Sequence, residues 1–150
     1  LSDWNAHLFF VDKRKYLVFV NILTYFVVFI ADIVKKDLKN IDEIFLTRLK
    51  EQLHQDPFFD DLNIENLLTD GNKINFLKSN NNKKAIARIN DYVYIFKVHC
   101  NVKYENPSDV DVIYENKLIN EIPTGQYSDI KKTYTFPIEN LKRKIRASEL

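Results

Sequence analysis

YLVFVNILTYFVVFIADIV, residues 16–34, is the stretch on which the fold turns. Only Asn21, Thr24 and Asp32 interrupt its apolar character, and Lys13, Arg14 and Lys15 precede it. Length and hydropathy alone would suit a membrane-spanning helix. The residue types argue otherwise, because Val, Ile, Phe and Tyr dominate and favour strands. Residues 21–24 sit mid-window, where they make a turn between two strands. The same grammar runs just upstream: His7 to Val11 is a short apolar run, and Asp12-Lys13-Arg14-Lys15 supplies turn residues before Tyr16 resumes the pattern. Three antiparallel strands are predicted, near 6–11, 15–21 and 24–31. Strands covered on both faces read as continuous apolar runs, so helices or a second subunit should lie on this sheet.

Beyond the sheet the pattern turns helical. Asn40 precedes a helix predicted from residue 41, with Glu43 placed for a capping box, and Ile41, Ile44, Phe45, Leu49 and Leu53 recur at helical spacing until Asp56-Pro57. A shorter helix is expected from Asp61 to Thr69, ended by Gly71, and Lys73 to Lys78 alternates like a strand. Residues 79–82 form a polar loop that caps a long helix, whose stripe is Ile86, Ile89, Val93, Phe96 and Cys100. Val110 to Ile122 reads as a further helix, 124–135 as an irregular link with a short strand at Tyr134, and Pro137 as the first turn of a last helix. The predicted fold is a single α+β domain over residues 1–150: an antiparallel sheet led by an N-terminal three-stranded meander and covered by amphipathic helices. The chain contains no methionine, which reads as residues missing ahead of Leu1.

Composition narrows the function classes. At 150 residues with 45% apolar content the chain buries a sizeable core. One cysteine makes no internal disulfide, which suits a reducing, cytoplasmic setting. Two glycines, Gly71 and Gly125, are too few for a phosphate-cradling loop. The net charge of +1 conceals an asymmetry: residues 1–75 hold nine Lys and Arg against twelve Asp and Glu, whereas 76–150 hold thirteen against nine. Lys13 and Lys15, Lys84 and Arg88, Lys131 and Lys132, and Lys142, Arg143 and Arg146 are therefore the candidate basic surface. Converging in space, they would neutralise phosphates, with Tyr92, Tyr94 or Tyr127 stacking on bases.

The titratable residues give little catalytic signal. His99 and Cys100 are adjacent, but neighbouring helix positions point about 100° apart, so Cys100 is expected to be buried and inert. His7, His54 and His99 fall in no metal-ligand spacing. Asp60-Asp61 and the Asp109/Asp111 pair suit helix starts, where carboxylates complement the dipole. No catalytic residue, metal or cofactor is assigned.

Three blocks of the chain, DWNAHLFFVDKRKYLVFVN, SNNNKKAIARIND, and NKLINEIP followed by FPIENLKRKI, together resemble an uncharacterised bacterial family, the domain-of-unknown-function family 6933. Where the family favours Arg and Gly in the central block, this chain has Lys83 and Ala87. The resemblance implies an α+β domain of bacterial, intracellular origin and no particular chemistry. Polar residues of those blocks, Arg14, Asn82, Lys83, Asn90, Asp91 and Asn120, form the candidate polar pocket. Asn90 and Asp91 interrupt the long helix and are expected to meet partners from another segment.

The expected function is a non-catalytic binding or regulatory module with a protein or nucleic-acid partner and a route to homo-oligomers through the sheet. An enzyme with a dispersed site near Arg14, Asn90 and Asn120 is the first alternative. A membrane-attached protein using 16–34 is the second.

Overall fold

In the computed structural model the described residues are 2–69, 74–77, 82–127 and 132–148. The meander is present: β1 (Asp3–Val11), β2 (Arg14–Asn21) and β3 (Val27–Ala31) are antiparallel neighbours. Asp12 and Lys13 make the first turn with φ of 47° and 69°, the left-handed pair that a two-residue hairpin of type I′ requires. The second turn is organised by Asn21, whose side-chain oxygen accepts hydrogen bonds from the Leu23 and Thr24 amides and the Thr24 hydroxyl. Tyr25 follows at a φ of 62°, so β3 starts three residues later than the apolar run suggests.

A fourth strand, β4 (Asn75–Leu77), lies where alternation predicted one, and it pairs with β1 in parallel, over Asp3–Asn5 only. The sheet, ordered β3-β2-β1-β4, is therefore mixed rather than wholly antiparallel. Parallel pairing follows from the connection, since β4 returns to β1 after two helices instead of through a tight turn.

Helices cover both faces. α1 (Ile41–Leu53), α2 (Asp61–Thr69) and α5 (Pro137–Ser148) pack on one, around Trp4, Phe19, Phe45, Leu49 and Leu141. α3 (Lys83–Lys103) and α4 (Val112–Asn120) pack on the other, around Phe9, Tyr16, Phe29, Phe96 and Ile119. That double covering accounts for the unbroken hydrophobicity of β2 and β3. Asn82 caps α3 as expected, accepting from the Ala85 amide at 3.1 Å. Asn40 does not cap α1: a 3-10 turn, Lys35–Asn40, runs straight into that helix, and Asn40 makes no capping hydrogen bond. The link after Pro123 holds a hairpin of β5 (Thr124–Tyr127) and β6 (Lys132–Thr135). Gly71, Lys73, Lys78 and residues 79–81 lie outside the described residues.

Candidate functional site

The two edges of the sheet are treated in opposite ways, and the difference is written in the hydrogen bonds. Along β3, Val27 and Phe29 turn their backbone groups away from β2. α4 lies against that edge and presents Asn116 and Asn120, one helical turn apart. The Asn120 amide accepts from Val27 N and donates to Val27 O, both at 2.8 Å. Asn116 accepts from Phe29 N at 2.8 Å and donates to Phe29 O at 3.1 Å. Each side-chain amide thus stands in for a residue of a neighbouring strand, and both are fully or nearly fully buried. α1 locks the arrangement from outside. With its nitrogen toward Ile113 O and its oxygen toward Lys117 N, the buried Gln52 amide makes both bonds to α4 at 3.1 Å.

Among the described residues β1 has no such cover beyond Asn5. Ser2 O accepts from Asn75 N, whereas Asp3 O accepts from Ile22 N, so even-numbered residues of β1 address the β4 side and odd-numbered ones address β2. Because β4 reaches only Asp3–Asn5, the backbone groups of Leu8 and Phe10 face outward with no strand beside them among the described residues. Their side chains are 45% and 52% exposed. Leu17 and Lys15 stand opposite them on β2, and the Lys15 ammonium sits 5.9 Å from the Phe10 ring centroid. The open edge, two apolar side chains and the lysines of the adjoining turn form one continuous surface.

A buried polar cluster joins α3 to α4 behind the sheet. Glu115 is wholly inaccessible and accepts from Tyr104 OH at 2.9 Å and Lys103 Nζ at 3.2 Å, while His99 Nδ1 lies 2.7 Å away. Burial pushes the Glu115 carboxyl up, but the bonds from His99, Tyr104 and Lys103 outweigh it and hold the pKa below the ordinary value. The Tyr104 hydroxyl is pushed up to about 12 by burial and by its bond to Glu115. Cys100 is buried on the same helix, and burial, followed by the Glu115 charge, raises its thiol to about 11. A thiol so raised is almost wholly protonated at neutral pH and a poor nucleophile. Among the described residues no group of three His, Cys, Asp or Glu side chains is placed to hold a metal ion.

The candidate polar pocket is not assembled. Arg14, at the start of β2, is held by Asp32 in a two-pronged pair at 2.8 and 3.0 Å and donates to Pro107 O. That pairing lowers the Asp32 pKa. Asn120 is spent on the β3 edge at the opposite end of the strand. Asn82 caps α3, Lys83 is exposed beside it, and Asn90 and Asp91 face solvent rather than another segment. Asn90 and Asp91 therefore belong to the polar outer face of α3, between the buried Ile89 and Tyr92.

Nor do the basic runs share one face. Lys84 and Arg88 belong to α3, and Arg88 stacks 3.7 Å over the Tyr25 ring. Lys142, Arg143 and Arg146 belong to α5, across the sheet, where Lys142 is bound to Asp56 at 2.7 Å and Arg146 lies over Phe58. Lys13 lies in the β1–β2 turn and Lys15 just after it on β2. Lys131 and the side chain of Lys132 lie outside the described residues. Two residues that sequence reasoning passed over, Glu115 and Asn116, carried one visible signal. With Asn120 they occupy buried positions of α4, beside Ile119, within the helix expected over Val110 to Ile122.

A family model described as a domain of unknown function, DUF6933, matches residues 1–140, and the chain belongs to that family. No curated protein matches it.

Proposed function

We propose that this member of the DUF6933 family is a non-catalytic binding module that takes a protein partner onto the free edge of β1. The observation that carries the reading is the contrast between the edges. An edge strand with unpaired backbone groups is a template for another chain, and folded proteins normally blunt it. Here β3 is blunted by four buried side-chain hydrogen bonds, while among the described residues no strand pairs with β1 beyond Asn5, and Leu8 and Phe10 are exposed there.

Other placements favour this over the alternatives. Dividing the α3 and α5 cations between opposite faces weakens the case for a phosphate-tracking groove. An enzyme built on Arg14, Asn90 and Asn120 would need side chains that stand at different places and are largely spent on structural bonds. Residues 16–34 form two sheet strands and the turn between them, and no helix among the described residues is long and apolar enough to cross a membrane. A single buried thiol suits a bacterial cytoplasm.

Affinity capture from cells of the source, with bound proteins identified by mass spectrometry, tests the proposal. Leu8→Pro removes an outward N–H without touching the β1–β2 ladder, and Phe10→Lys charges the exposed face. The proposal expects a partner retained by the native chain and lost by both variants. Recovery of the same proteins by all three chains would overturn it.

A further inference from the structure

We infer that the segment accepted at the β1 edge is an extended peptide whose apolar side chains alternate and whose end nearest the β1–β2 turn carries a carboxylate. This rests on the binding-module reading and adds the chemistry of the partner. Among the described residues no strand pairs with β1 beyond Asn5, so about five residues of strand span the edge up to Phe10 at roughly 3.3 Å each. In strand addition the main chain supplies hydrogen bonds, and alternate side chains meet one face of the host sheet. That face is here formed by Leu8, Phe10 and Leu17, so every second residue of the guest should be apolar.

Charge selects the end. Beyond Phe10 the strand turns through Asp12 and Lys13 to Lys15. Arg14 is occupied by Asp32, but Lys13 and Lys15 are in no ion pair among the described residues, and Lys15 leans over the Phe10 ring on the guest face. Against these two cations stands the single carboxylate of Asp12, leaving the turn with a net positive charge. A guest carboxylate reaching Lys15 would complement it, and a cationic end would be repelled. A second copy of this chain fits less well. Paired antiparallel with Leu8 on Leu8, its Val11 would fall opposite Asn5, the position beside which Leu77 already lies.

Selection of displayed random linear decapeptides on the full chain tests the inference, with sedimentation of the chain alone as a companion measurement. Expected are peptides with alternating apolar residues and Asp or Glu toward one end, lost on Phe10→Lys and weakened about tenfold by the double change Lys13→Glu and Lys15→Glu. Edge-dependent peptides indifferent to that charge reversal would overturn the inference while leaving the binding module standing. Failure to select any peptide that depends on Leu8 or Phe10 would overturn both. Self-association abolished by Phe10→Lys would replace the peptide with a second copy.

Discussion

Asn120→Ala is the sharpest test of how the β3 edge is closed. Asn120 makes three buried hydrogen bonds: two with the N–H and C=O of Val27 at 2.8 Å and one to Asn116 O at 2.9 Å. Alanine removes all three and strands both Val27 groups, because among the described residues β3 has no strand on that side. A buried backbone group left without a partner costs about 1–3 kcal/mol, so two orphans set a range of roughly 2–6 kcal/mol. Water entering the vacated space recovers part of this, and we expect a loss of about 3 kcal/mol. For a chain of this length that lowers the melting temperature by about 6–12 °C. Urea unfolding gives the free energy, and amide exchange locates it: Val27 should lose protection, while Phe29, held separately by Asn116, should lose less. Asn90→Ala is the control, since Asn90 is exposed and should change stability by less than about 0.5 kcal/mol. An Asn120→Ala chain within about 1 kcal/mol of native, with the Val27 amide still protected, would refute the reasoning.

Three further outcomes follow from the same geometry. Lys13→Gly should raise stability by about 0.5–1 kcal/mol in urea unfolding, because Lys13 sits at a φ of 69° where glycine is unstrained. Cys100, buried with its thiol raised to about 11, should react with iodoacetamide at neutral pH far more slowly in the folded chain than in urea. Glu115 has a folded pKa below its ordinary 4.5, so its stabilisation is complete above that value and is lost as pH falls through the lower one. Glu115→Gln should therefore destabilise at pH 7 and flatten the loss of melting temperature below about pH 4.5.

Local chemistry made much of the fold legible. The Asp12-Lys13 and Asn21–Thr24 turns, the apolar runs between them, Asn82 as a cap and the three-four stripe of α3 each depend on residues within a few positions of one another. What resisted reading depends on distant partners. β4 is three residues long, too short for its pairing direction to be encoded in its own alternation. Asn40 looked like a cap, but the 3-10 turn before it extends directly into α1 and leaves no free helix start to satisfy.

The asparagines show the limit at the site itself. Asn90 and Asn120 both break helical patterns, and nothing in their immediate neighbours says that one faces water and the other replaces a strand. The distinguishing feature is spacing: Asn116 and Asn120 lie four apart, about 6 Å along a helix, close to the two-residue repeat of roughly 6.6 Å between outward groups on a strand edge. A helix laid along β3 can therefore meet Val27 and Phe29 with successive turns, and Asn supplies the donor and acceptor that one strand residue would. Open strand edges are closed by many means, so a chain that spends two buried amides on one edge has the chemistry to close the other. On the proposed reading, Leu8 and Phe10, beside which no strand lies among the described residues, are left for an occupant, which puts the proposed surface at this edge rather than among the cations of α3 and α5.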